Sequence, residues 1–311
     1  MPKRARNQCF LRGNRKGKDE MHLIADRKGN ITKQNTLQDR LLDKLYGHAA
    51  GRVLLKPLVS PLFSRMGGAF LDSGFSRFLI RHFICRHGID MWDYQPKDYT
   101  SFNDFFTRRL TEGARRVEKS PEVLVSPCDG RLSVYEIADG CSFEVKHTRY
   151  TLESLLKDRK LAAEFTGGHV WLFRLCPEDY HRYIYADGGN IRKFVKIFGV
   201  FHTVNPVANE HFPVYKENTR EYCILESESF GRMIQMEVGA MLVGQIINHP
   251  RGSAVRRGWE KGRFAFGGST VILVTRQGAV TPDEDILENS RRGIETRVRL
   301  GEQVGASGNT V

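Results

Sequence analysis

Long hydrophobic runs are missing from this sequence of 311 residues. Runs such as 271–274 and 170–173 stop far short of the ~20 apolar residues a spanning helix needs, so no transmembrane segment is expected. Cysteine is sparse. Its six copies (Cys9, Cys85, Cys128, Cys141, Cys176, Cys223) stand singly. They lack the CxxC pairing of a zinc or redox site and the density of a disulfide scaffold, and read as reduced structural thiols. Acidic residues are absent from the first 18 positions, which carry Lys3, Arg4, Arg6, Arg12, Arg15, Lys16 and Lys18. No apolar stretch follows to make this start a secretory signal, and the serine enrichment of a transit peptide is missing too, so a solvated tail is expected.

What is present is a globular composition, 40% hydrophobic, with a formal net charge of +12. Such a charge favours an anionic partner, either nucleic acid or an anionic lipid surface. No recognition motif with interleaved aromatics accompanies the basic residues, so nucleic acid is not the expected partner. Residues 1–37 are polar, basic and rich in Gly and Asn, and are expected as an extended or partly disordered arm. From 38 to 118 the apolar spacing is helical: Leu41, Leu42 and Leu45, then Phe75, Phe78, Leu79 and Phe83, then Phe102, Phe105, Phe106 and Leu110. Ser101 and Asp104 sit where a capping box would open the last helix. The Phe75–Phe83 stripe is flanked by Arg77, Arg81, His82 and Arg86, a pattern that suits helices lying on a membrane surface as well as helices packed on the rest of the protein.

From 119 to 311 the texture changes to short β-rich runs with turn signals, at 123–125, 132–137, 169–175, 192–201, 222–226, 233–247 and 269–275. The main helical stretch there is 152–161. Helices first and strands later predict an α+β fold, an N-terminal helical layer packed on a largely antiparallel β core.

Three segments carry candidate chemistry. Phe266-Gly267-Gly268-Ser269-Thr270 runs into the apolar 271–274. By itself this is most often a glycine turn entering a buried strand. It is also a place where a serine hydroxyl can attack the preceding carbonyl, because glycine has no side chain to block the approach. Val125-Ser126-Pro127-Cys128-Asp129-Gly130 reads alone as a turn between strands. Cys176-Pro177-Glu178-Asp179-Tyr180-His181-Arg182 sets a histidine and an arginine after a proline turn, where a lone histidine is usually structural.

Taken in order, these segments resemble the phosphatidylserine decarboxylase family from Tyr46 to Gly305. The resemblance includes the run Ser101–Leu110, the Ser-Pro-x-Asp-Gly turn at 126–130, Asp179-Tyr180-His181-Arg182, Val204-Asn205-Pro206, Glu237-Val238-Gly239-Ala240 with Val243-Gly244, and Glu260-Lys261-Gly262 leading into Gly267-Gly268-Ser269-Thr270. It implies self-cleavage between Gly268 and Ser269 into a β chain 1–268 and an α chain 269–311, with Ser269 converted to a covalent pyruvoyl group. No external cofactor and no metal are then needed. The pyruvoyl ketone would form a Schiff base with phosphatidylserine and act as an electron sink as CO2 leaves, yielding phosphatidylethanolamine. A peripheral position on the cytoplasmic face of a membrane, and a possible homo-oligomer, go with that reading.

In the family, the aspartate matched by Asp129 orients a histidine that deprotonates the serine. The usual pattern is Asp-Tyr-His-Arg-x-His, and this chain holds Ile184 at the second histidine. His181 corresponds to the first, used near the substrate, and is expected to serve both steps with Asp129 beside it. His202 and His249 are more distant alternatives. The missing histidine also raises a second reading, a membrane-binding homologue of the family that never processes itself.

Overall fold

The computed structural model describes residues 22–34, 61–145, 148–200, 202–204, 213–240, 245–249, 252–265 and 269–308. The leucine stripe at 41–45 and the glycines Gly267 and Gly268 lie outside the described residues.

The expected α+β architecture is present. Ten strands form one sheet in the order Ala254–Val255, Gly189–Ile197, Arg220–Ser227, Gly231–Gly239, Ser269–Thr275, His169–Leu175, Gly130–Glu136, Glu295–Val298, His22–Ala25 and Ile31–Gln34. Every neighbour pair is antiparallel except His22–Ala25 on Glu295–Val298. The central strand Ser269–Thr275 is buried along its whole length, as its unbroken β-branched and aliphatic run requires of a strand covered on both faces.

Alternate residues of the central strands feed two cores. Val170, Leu172, Ile272, Val274, Ile234 and Met236 pack under the helices Leu152–Leu156 and Arg159–Ala163 and the hairpin of Ser142–Val145 with Thr148–Thr151. Trp171, Phe173, Leu175, Val271, Leu273 and Met233 point the other way. There they meet two small antiparallel sheets, Ile246–Asn248 with Glu260–Phe264 and Arg182–Ile184, and Val280–Pro282 with Gln303–Ser307 and Val123–Val125. The helical stretch expected at 152–161 is broken in two because Lys157 turns left-handed, with φ 54°, and Asp158 caps the second helix through Leu161 N.

Within the N-terminal arm, residues 22–34 form a hairpin on the sheet edge. Ile24 and Ala25 of it are buried, and Arg27 ties it to Asp283 and Asp285. The helical layer comprises Pro61–Asp72, Phe78–His87 and Phe102–Phe106, with Ser101 capping the last through Asp104 N. Leu71, Phe102, Phe105 and Phe106 make its own small core. Arg182 fastens this layer to the β core by donating to the carbonyls of Thr107 and Arg108. No helix among the described residues is long and apolar enough to cross a membrane.

Candidate active site

One end of the large sheet gathers the residues the sequence singles out. Along that end the pairing runs Val298 to Gly130, Leu175 to Ser269, and Ser269 to Gly239, whose N–H in turn donates to Thr219. Register alone therefore sets Asp129, the 176–181 turn, Ser269 and Gly239 side by side, although they are far apart in sequence. Gly130 makes the packing possible, since a Cβ there would sit 2.9 Å from the Arg174 carbonyl oxygen.

Ser269 opens its strand fully buried, and its Oγ has no hydrogen-bond partner among the described residues. A buried hydroxyl without a partner is costly and often marks chemistry. Gly239 faces it across the strand pair and adds no side chain there.

His181 is fully buried with its ring 4.0 Å from the Phe106 ring. Nδ1 donates to the Asp179 carbonyl at 2.9 Å, which fixes the tautomer and leaves Nε2 with a lone pair and no partner among the described residues. Burial, aided by the nearby Arg108 charge, pushes the imidazole pKa down to about 3, so the ring is neutral near pH 7. The turn that carries it is rigidly braced. Arg131 pairs with Glu178 and Asp179 at 2.7 Å each, Asp179 accepts from Cys176 N, and Arg108 donates to the Glu178 and Asp179 carbonyls. Burial pushes the Cys176 thiol up to about 11, which keeps it a structural thiol.

Asp129 is buried too, but the contacts recorded for its carboxylate do not include His181. Arg115 grips both oxygens, Nε to Oδ1 at 3.1 Å and Nη2 to Oδ2 at 2.8 Å, and Leu300 N donates to Oδ1 at 2.8 Å. Ile184 lies close by. Its N–H donates to the Pro127 carbonyl, which places it beside the Asp129 turn, and its side chain joins Tyr94, Val125, Tyr180 and Leu300 in an apolar cluster. At the position where the resemblance implies a second histidine, this chain packs a hydrocarbon, and Arg115 pairs with the neighbouring Asp129 carboxylate.

Of the alternatives, His249 pairs with Glu260 at 2.6 Å in the smaller sheet. His202 pairs with Glu217 at 3.3 Å, and Asn218 links its carbonyl to that of Gly239. Among the described residues, no cluster suited to a metal ion occurs.

Sequence reasoning did not anticipate a second buried polar network on the same sheet face as Ser269. Lys261 is hydrogen-bonded and ion-paired to Glu237 Oε2, both side chains wholly buried, and Asn248 joins them to Tyr183 and Glu221. The available signal was a lone acid, Glu237, in the 233–238 run, whose other residues are apolar except Gln235.

Comparison with known proteins agrees with this geometry. The family model described as phosphatidylserine decarboxylase matches residues 102–306, which takes in the Asp129 turn, His181 and Ser269. The chain is 45% identical to phosphatidylserine decarboxylase proenzyme 2 of Clostridium acetobutylicum over 84% of its length and 90% of that protein. It is 41% identical to the phosphatidylserine decarboxylase proenzyme of Ruminiclostridium cellulolyticum, over 86% and 91% of the two chains. It is 37% identical to that of Fusobacterium nucleatum, over 92% and 98%. Similarity at this level, running almost end to end and through every segment that meets at the sheet end, leaves one conclusion: the chain belongs to the phosphatidylserine decarboxylase family.

Proposed function

We propose that this protein is a self-processing decarboxylase of phosphatidylserine whose prosthetic group is a pyruvoyl made from its own Ser269. The observation that carries the reading is the buried Ser269 hydroxyl at the start of the central strand, without a hydrogen-bond partner among the described residues and paired across the sheet with a glycine, Gly239. The word proenzyme in the relatives' names supports processing.

In processing, Ser269 Oγ attacks the carbonyl carbon of Gly268 and the amide becomes an ester. Loss of the Ser269 Cα proton then breaks the Cβ–Oγ bond and releases a carboxylate at Gly268. Water hydrolyses the resulting N-terminal enamine, ammonia leaves, and a pyruvoyl remains at position 269. That group supplies an electron sink for the pair left when CO2 departs. His181, held neutral with Nε2 free to take or return a proton, handles protons on the substrate side. Asp129 is a positioning residue that locks Arg115 and the Leu300 backbone into one corner. A cavity of about 170 Å³ is lined by Lys97, Arg108, Arg109 and Arg182, with a single acid, Asp104, paired to Lys97. Such a cationic recess suits the phosphodiester of a phospholipid.

Intact-mass analysis tests the reading. The expected result is two chains, 1–268 and a pyruvoyl-blocked 269–311; a single uncleaved chain from an active preparation would overturn it. An uncleaved chain without decarboxylase activity would favour instead the non-processing homologue that Ile184 suggests.

The helical layer is the proposed membrane-facing side. Phe75 is 85% exposed, Phe78 70% and Trp92 91%, beside Arg77, Arg81 and Arg86. Apolar insertion would supply most of the affinity, each basic residue adding about 1 kcal/mol near an anionic surface. Changing Phe75 and Phe78 together to Ser is expected to cut flotation with phosphatidylserine-containing liposomes at least tenfold while leaving the fold unchanged. Undiminished flotation would remove this helix from the interface.

A further inference from the structure

Self-cleavage needs a base for the Ser269 hydroxyl, and the residue the family would use is replaced by Ile184. The replacement must meet three conditions: it must lie on the sheet face that Ser269 occupies, be within side-chain reach, and have an oxygen or nitrogen lone pair that is not already engaged.

Register identifies one group that meets all three. Gly239 pairs with Ser269 and Glu237 pairs with Val271, so Glu237 and Ser269 occupy the same face of adjacent strands as diagonal neighbours. Diagonal positions are about 7–8 Å apart, within reach of a long side chain. Gly239, the residue directly across from Ser269, places no side chain between them. One carboxylate oxygen of Glu237 is anchored by Lys261 and Asn248, while the other, Oε1, is buried with no partner among the described residues. Two buried polar atoms without partners, a hydroxyl and a carboxylate oxygen, thus sit on one face of one strand pair.

We infer that Glu237, held by Lys261, is the base that removes the Ser269 proton during self-cleavage, leaving His181 to the decarboxylation that follows. The proton passes from Oγ to the Glu237 carboxylate as Oγ bonds to the Gly268 carbonyl carbon. Glu237 then returns it to the departing Ser269 nitrogen as the C–N bond breaks, so one proton is taken and one given back. Burial raises the Glu237 pKa, with the Lys261 charge opposing, and a carboxylate shifted upward is a stronger proton acceptor than an exposed one. Of the other candidates, the Asp129 carboxylate is engaged by Arg115 and Leu300 N and the Glu260 carboxylate by Arg182 and His249. His181, whose Nε2 has no partner among the described residues, stands on the 176–181 turn and not on the strand paired with Ser269.

The inference rests on the processing reading, and the experiment separates the two. Full-length chain is made by cell-free synthesis with a radioactive pulse, and the appearance of fragment 269–311 is timed. Glu237→Gln keeps the size and a hydrogen bond to Lys261 but cannot accept the proton, and is expected to slow cleavage by ~10² or more. Glu237→Asp retains a carboxylate and should cleave at an intermediate rate, whereas Glu226→Gln, remote on a neighbouring strand, should match wild type. Because a single change could leave a buried Lys261 uncompensated and spoil the fold, Glu237→Leu with Lys261→Met replaces the pair by hydrocarbon of similar volume, an exchange that buried ion pairs tolerate. That double variant is expected to give a protease-resistant, uncleaved chain. Wild-type cleavage rates in Glu237→Gln, or cleavage of the folded double variant, would overturn the inference alone. A wild-type chain that never cleaves would overturn the processing reading and this inference with it.

Discussion

Ser269→Ala is expected to remain a single 311-residue chain with no detectable decarboxylation, because the substitution removes both the nucleophile of self-cleavage and the atom from which the pyruvoyl is made. The loss should be complete rather than partial. No neighbouring hydroxyl can replace it: Thr270, the next residue, points to the opposite face of the strand by the period-two alternation. The fold should survive. Ser269 lies in a strand buried throughout, its Oγ makes no hydrogen bond with a described residue, and a methyl fits where a hydroxymethyl did. Removing an unpartnered buried hydroxyl changes stability by about 1 kcal/mol or less, and the sign can favour the variant. Urea unfolding of Ser269→Ala should therefore be cooperative and near the wild-type midpoint, while intact mass reports one chain. A cleaved Ser269→Ala would mean that processing uses another residue.

Much of the β core is legible in the sequence because its central strands are buried on both faces. The strands His169–Leu175 and Ser269–Thr275 coincide with the expected runs at 169–175 and 269–275, since the short apolar stretches 170–173 and 271–274 bounded by Gly signals have the length and β-branched or aromatic content of buried strands. The hairpin at 22–34 is not legible. Its two strands have four residues each, and among residues 23–33 they bury Ile24 and Ala25 alone, so its order comes from the edge it docks on rather than from its own pattern. The 152–161 helix was expected unbroken because apolar spacing does not register a single left-handed residue such as Lys157.

At the site, the motifs pointed to Ser269, His181 and Asp129, but not to what those groups touch. Arg115 is one of many arginines in a basic chain, and only the folded turn brings it onto Asp129. Pairing of Glu237 with Lys261 joins positions on different sheets, which no local spacing encodes. The departure at Ile184 was visible in sequence, whereas its consequence, an aspartate neutralised by arginine and an apolar cluster in the histidine's place, required the packing of Tyr94, Val125, Tyr180 and Leu300 around it.

His181→Gln separates processing from turnover and also leaves a signature in stability. With Glu237 taking the Ser269 proton, the variant should still yield fragment 269–311, but kcat for phosphatidylserine should fall by ~10²–10⁴, the usual worth of a positioned proton carrier. A variant that fails to cleave would assign both steps to His181. The stability arm follows from burial. In the folded chain the imidazole pKa is pushed down to about 3, whereas an unfolded histidine titrates near 6.5. Between those values the unfolded chain binds a proton that the folded chain refuses. This contribution to stability is therefore fully present above about pH 6.5 and is lost progressively as pH falls toward 3, a change on the order of a few kcal/mol. Glu237 and Asp179, whose pKa values burial raises, oppose the trend, so the comparison must be differential. Measured in a Ser269→Ala background to keep one chain, urea stability from pH 7 to pH 5 should fall more steeply with His181 present than with Gln at that position. Parallel slopes would mean that the imidazole reaches solvent and titrates in the fold much as it does in the unfolded chain.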